Sequence, residues 1–292
     1  MTVTTLEKNR EKYCLANPKD FKLKEILECG QCFRWKRQED GSYIGVIKEG
    51  VIHIKELPEE VIFEGVVEGD FEKICCHYFD LERDYSKIKE EISKNDKNMQ
   101  MAIHYGSGIR ILNQNPWEML ISYIISAANN IPRISKTIET LSKKYGKEIE
   151  MGGEKFYLFP TPEELEKVTM EELRECNLGF RDKYVKKATQ MVLEQTIQLN
   201  KIGSMNYENA KKYLMQIPGV GAKVADCILL FGFGKLEAFP VDTWIKKVMN
   251  ELYTDSTNIT KINHYATQKF GKYAGVAQQY LFYYARENNK LF

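Results

Sequence analysis

Residues 117–128 read Trp-Glu-Met-Leu-Ile-Ser-Tyr-Ile-Ile-Ser-Ala-Ala, an almost unbroken apolar run that leaves no polar face for water. As a helix, this run belongs in the middle of a bundle, so the elements around it must be largely helical. The sequence supplies such neighbours at residues 131–145, 161–168, 171–176, 182–198 and 206–216, separated by Gly- and Pro-rich loops such as 151–153 and 159–162. Upstream the period changes. Residues 42–47 and 51–54 are short, β-branched and bounded by glycine, and 48–50 between them has the length of a hairpin loop. Trp35 closes an earlier candidate strand, and 39–41 is a turn. The expected fold class is α+β, with a small antiparallel sheet domain over residues 1–105 followed by an all-helical region over 106–292.

Composition narrows the function. No apolar run reaches the ~18 residues of a membrane span, and the N-terminus lacks a secretory apolar core, so a cytoplasmic protein with no membrane partner is expected. Lysine and arginine number 42 against 41 acidic residues, a formal charge of +1. The balance shifts along the chain: 17 against 21 over residues 1–100, 13 against 13 over 101–200, and 12 against 7 over 201–292. Only the last third suits a polyanion. Seven cysteines, an odd number, point to reduced thiols. Cys29 and Cys32 have metal-ligand spacing but no second pair completes a site, and no four-cysteine cluster is present for iron–sulfur. No cofactor is expected and no metal is required.

The most informative stretch runs from Leu214 to Cys227. One helix ends near Gln216, Ile217-Pro-Gly-Val-Gly221 turns, and a second helix begins at Ala222, which makes residues 207–232 a helix-hairpin-helix. Gly219, Val220 and Gly221 fit an ordinary turn. They also fit a clamp whose backbone N–H groups at a helix start meet a phosphate. Lys223 lies in the first turn of the second helix, where the dipole disfavours an ammonium and favours an amine nucleophile. Equally, it is read as a surface lysine paired with Asp226. Asp242, within Phe239-Pro-Val-Asp242, precedes a helix predicted over 243–252 and suits an N-cap. A carboxylate held there can also face positive charge developing at a sugar C1′.

These motifs together resemble the helix-hairpin-helix, Gly/Pro-Asp superfamily of DNA glycosylases. Gly219 to Cys227 is similar to the 8-oxoguanine glycosylase/AP lyases of the eukaryotic type, which also occur in bacteria. Residues 30–35, 178–181 and 273–278 carry the family's other ordered motifs. The resemblance implies a monomeric, nucleoid-associated repair enzyme of bacterial type acting on double-stranded DNA containing 8-oxoguanine. Lys223 is then the nucleophile and Asp242 the essential carboxylate. The flipped lesion base would meet the Gly30 carbonyl, Cys227, Gln278 and Phe282. Asn129, Asn130, Arg133 and Arg181 would serve the gap and the orphaned cytosine, and Phe180 the wedge. Ala128 stands where the family carries an asparagine, and Trp244 where it often carries a phosphate-binding histidine. Carbonyls of Met215, Ile217 and Val220 match a structural cation site. Two alternatives remain, a non-catalytic DNA-binding hairpin and a glycosylase for another lesion.

Overall fold

The computed structural model describes residues 10–288. Five antiparallel strands form the N-terminal sheet: β1 (Glu11–Ala16), β2 (Trp35–Arg37), β3 (Tyr43–Ile47), β4 (Gly50–Glu56) and β5 (Glu60–Val67). Their spatial order is β1-β5-β4-β3-β2. Trp35 opens β2 rather than closing a strand, and its ring lies flat on the sheet: a Cβ on Gly45 would stand 2.2 Å from it. The β3–β4 turn is tighter than expected, because Gly50 is already paired with Ile47. Helices α1 (Leu23–Leu27) and α2 (Phe71–Tyr78) belong to this unit, and Phe21, Ile26, Phe63, Phe79 and Leu112 fill its core.

Helices α3 (Tyr85–Ser93) and α4 (Lys97–Tyr105) follow, and their buried faces join the larger helical core with Tyr85, Ile88 and Met99. In its centre runs α5 (Pro116–Ile125), buried at every position after Pro116. Asn115 caps its start, and the chain leaves the helix through Ala128 at φ +50°. Then come α6 (Ile131–Tyr145), α7 (Pro162–Glu166), α8 (Met170–Glu175), α9 (Asp182–Leu193) and α10 (Leu199–Ile202). Capping boxes at Thr161 and Thr169 set the starts of α7 and α8. The region is not wholly helical: β6 (Glu148–Met151) and β7 (Glu154–Tyr157) form a hairpin over Gly152 and Gly153, both at positive φ.

The last helices are α11 (Tyr207–Leu214), α12 (Ala222–Phe233), α13 (Thr243–Met249), α14 (Ile259–Phe270) and α15 (Ala274–Glu287). Helix α12 packs closely on α5, since a Cβ on Gly232 would lie 3.2 Å from Met119 Cβ and 3.3 Å from Pro116 Cα. Arg110 ties the sheet unit to the bundle: its buried guanidinium donates to the carbonyls of Phe79, Asp80, Arg83, Lys19 and Asp20. No helix among the described residues is long and apolar enough to cross a membrane.

Candidate active site

The hairpin between α11 and α12 is built on two buried anchors, Ile217 and Val220, with the Val220 N–H donating to the Ile217 carbonyl at 3.0 Å. Gly219 has φ +88°, and a Cβ there would stand 2.7 Å from Tyr184 Cγ on α9, so both backbone and packing require glycine. Gly221 caps α12 in extended conformation with no side-chain acceptor, and open space lies where its Cβ would be. The first N–H groups of α12 therefore face outward, a ready anion site. The Met215, Ile217 and Val220 carbonyls belong to the same turn. The Ile217 oxygen retains a lone pair after its bond to Val220, so this neutral oxygen set fits a hard cation.

Lys223 and Cys227 share one face of α12, one turn apart. The Lys223 ammonium lies 5.6 Å above the Tyr123 ring, and its charge acts on the Cys227 thiol, favouring the thiolate. Asp242 caps α13, its Oδ1 accepting from the Ile245 N–H at 2.8 Å. Burial raises the Asp242 pKa from its ordinary value, while the α13 N–H groups and the Lys223 charge oppose the rise. Asp242 also raises the Cys227 thiol, which burial pushes up to about 11. Lysine, thiol and carboxylate are therefore mutual neighbours.

The partner expected for Lys223 in the bland reading is taken. Asp226 Oδ2 accepts from Lys211 Nζ at 2.8 Å and Oδ1 from the Tyr207 hydroxyl at 2.7 Å, both groups on α11. Burial raises Asp226 to about 6 despite that pairing. Asp226 thus staples the two arms of the hairpin and leaves Lys223 to the cleft.

Gly30, at φ +87°, meets the far end of the chain: its Cβ position is 3.0 Å from Phe282 Cε1 and 3.5 Å from Ile131 Cδ1. Three groups fix this loop. Gln31, fully buried, donates to the Ile26 and Arg110 carbonyls at 2.9 and 2.8 Å and accepts from the Leu112 N–H. Gln279 donates to the Cys29 carbonyl at 2.7 Å, and Arg286 to the Glu28 carbonyl. The neighbouring Gln278 is 5% exposed, yet its Oε1 has no hydrogen-bond partner among the described residues. Tyr123 links the two halves: its hydroxyl reaches the Gln31 carbonyl at 3.4 Å, its ring stacks on Phe231 at 5.7 Å, and Lys223 sits over it. Sequence reasoning missed Tyr123 and Gln31. The polar-tipped aromatic inside an otherwise apolar helix was the available signal for Tyr123.

The expected duplex-facing residues divide. Phe180 is 55% exposed and braced by Arg181 at 4.4 Å from its ring. Arg133 is exposed on the first turn of α6, which Asn130 caps. Asn129 instead donates to the Ile125 carbonyl at 3.1 Å, closing the end of α5. Arg181, expected at the orphaned cytosine, is 6% exposed here; it donates to the Ala127 carbonyl at 2.8 Å, the Ala128 carbonyl at 3.0 Å and the Leu178 carbonyl at 3.2 Å. In this structure its acceptors are the turn itself, which it holds in the shape that puts Ala128 at positive φ. Trp244 sits half-buried on α13 beside Asp242, under Lys247 at 5.4 Å.

Fold and site together define a helix-hairpin-helix DNA glycosylase. Residues 14–120 match the model for the 8-oxoguanine DNA glycosylase N-terminal domain, and residues 121–271 that for the HhH-GPD superfamily base excision DNA repair protein. The chain is similar to the 8-oxoguanine glycosylase/lyase of Clostridium acetobutylicum, solved with double-stranded DNA containing cytosine opposite 8-oxoG. That likeness has 44% identity and a TM-score of 0.92 over 96% of this chain and 98% of that one. The N-glycosylase/DNA lyase of Saccharomyces cerevisiae is 31% identical over 94% of this chain and 84% of its own. The 3-methyladenine DNA-glycosylase of Archaeoglobus fulgidus shares the fold at TM-score 0.78 with 21% identity, covering 94% of this chain and 98% of that one. The chain belongs to the HhH-GPD superfamily of base excision DNA repair proteins, in its 8-oxoguanine DNA glycosylase family.

Proposed function

We propose that this protein excises 8-oxoguanine from double-stranded DNA through a Schiff base on Lys223 and then nicks the strand by β-elimination. The observation that carries this reading is the convergence of Lys223, Asp242 and Cys227 at the start of α12, with Asp226 already engaged by α11. The hairpin N–H groups and the exposed Phe180 receive the duplex, and the target nucleotide turns outward into the cleft. Cys227 and Phe282 flank the base. Gln278, whose Oε1 lacks a protein partner, reads its Watson–Crick edge.

The Gly30 carbonyl accepts from N7–H, a donor that 8-oxoguanine has and guanine lacks; guanine would leave that oxygen facing a lone pair. As the C1′–N9 bond breaks, its electron pair leaves with the base, and ionised Asp242 opposes the positive charge on the sugar. Lys223, having given its proton to the departing base, bonds to C1′ through its free amine. The C1′–O4′ bond then breaks as a proton passes from the nitrogen to O4′, which yields the iminium; loss of a C2′ proton follows, and the 3′ phosphate departs with its oxygen.

Arg133 favours cytosine opposite the lesion, and the protein works as a cytoplasmic monomer at the nucleoid. A cation at the Met215, Ile217 and Val220 carbonyls would only stiffen the turn. The test is an excision panel of duplexes carrying 8-oxoguanine opposite each base, unmodified guanine, and an alkylated adenine. Fastest release of 8-oxoguanine opposite cytosine is expected, and preferential release of the alkylated adenine would overturn the lesion assignment.

A further inference from the structure

A cavity of about 600 Å³ opens between the outer strand β2, helix α6 and the β6–β7 hairpin. None of the residues assigned to the lesion or the duplex lines it. Two of its lining residues carry buried polar atoms without hydrogen-bond partners among the described residues, Arg34 Nη1 and Ser142 Oγ. The Arg34 side chain is 9% exposed. Another of its nitrogens is fixed on the Tyr157 carbonyl, and Glu118 stands 3.9 Å from Nη1, near enough to balance charge but too far to hydrogen-bond. Ser142 is 1% exposed, and a buried hydroxyl left unpaired is destabilising. Both orphans are donors.

The rest of the lining says which ligand fits. Trp35, Phe156 and Tyr157 contribute aromatic surface. Four cations, Arg34, Lys36, Lys143 and Lys155, face two carboxylates, Glu139 and Glu154. Lys36 is paired with Glu139 and Lys155 with Glu148, whereas Lys143 and Glu154 are exposed and neither has an ion pair among the described residues. Aromatic walls take a planar ring, the buried donors take oxygen acceptors, and the unpaired Lys143 ammonium takes a negative charge. We propose that this cavity is a second ligand site, separate from the lesion pocket, for a planar aromatic anion of mononucleotide size.

The probe is guanosine 5′-monophosphate, titrated calorimetrically into the full-length protein without DNA, with guanosine and inorganic phosphate as separate arms. One saturable site is expected for the mononucleotide, with each arm at least tenfold weaker. Lys143→Glu, an exposed change that leaves the fold alone, should weaken binding about tenfold. Ser142→Ala should weaken it about fivefold while the melting temperature holds or rises, because an unpaired hydroxyl has been removed. Phe282→Ala should leave the affinity unchanged. Absence of binding at millimolar mononucleotide, equal binding of either arm alone, or loss on Phe282→Ala with retention in both cavity variants would overturn the proposal.

Discussion

The two faces of α12 treat charge in opposite ways. Toward α11, Asp226 is 1% exposed and has each oxygen bonded, one to Tyr207 and one to Lys211. Toward the cleft, Lys223 meets the Tyr123 ring and the Cys227 thiol, and it makes no ion pair within 4.0 Å among the described residues. Across from it, Asp242 is held by the N–H groups of its own helix, in the field of Lys223 but not locked to it. A saturated pair fixes geometry and has nothing left to offer a substrate. A charge left short of partners, beside a carboxylate whose position is set by capping, is available for chemistry. Three residues of sequence separate the two cases.

The contrast can be broken most sharply at Asp242. Asparagine caps a helix as well as aspartate does, so Asp242→Asn should keep α13 and DNA binding while lowering the excision rate about 100- to 1,000-fold. Single-turnover kinetics on an 8-oxoguanine duplex checks this. Because burial raises the wild-type carboxyl, the acid limb of the rate should lie at higher pH than the pKa of an ordinary aspartate would place it.

The closed face predicts a stability effect instead. Asp226 titrates near 6 in the fold, so the stability it contributes is complete below the ordinary carboxylate range and is lost as pH rises through that value. Relative to Asp226→Asn, the wild type should lose about 3 kcal/mol between roughly pH 3.5 and pH 7.5 in denaturant melts, at roughly 1.4 kcal/mol per pH unit. Excision at neutral pH should change only a few-fold; a loss as large as that of Asp242→Asn would erase the distinction between the faces.

Gly219→Ala strikes the turn that joins both arms. Positive φ and the 2.7 Å approach to Tyr184 should cost about 1–3 kcal/mol, partly recovered in a double variant with Tyr184→Ala. The smallest effect is expected from Phe180→Ala, which leaves stability unchanged and weakens duplex affinity by about 1 kcal/mol, read by fluorescence anisotropy.

The local parts of this site were legible in the sequence. Lys223 and Cys227 are i,i+4 on one predicted helix, and Asp242 sits before another; helical spacing and capping chemistry are properties of neighbouring residues. The apolar run at 117–128 likewise announced the buried α5, which ends at Ile125. What the sequence could not decide was partner choice over distance. Asp226 lies three residues from Lys223 but bonds Lys211, because the hairpin folds α11 against that face. Gln278 and Gln279 are adjacent and chemically identical. Only the rotation of α15 makes one a brace for the Cys29 carbonyl and leaves the other's oxygen free. The meeting of Gly30 with Phe282 depends on the packing of the sheet unit on the last helix, and Arg181 turned out to hold a loop. The β6–β7 hairpin escaped because Gly152 and Gly153 mark a loop equally well with or without flanking strands.

The central claim is that the Lys223 amine itself bonds the sugar. Reduction with borohydride during turnover of an 8-oxoguanine duplex, resolved by gel and by mass spectrometry of the digested adduct, reads that bond directly. The account predicts a stable protein–DNA adduct mapping to the peptide that contains Lys223, and no adduct with Lys223→Gln. An adduct of the same yield in Lys223→Gln would contradict it.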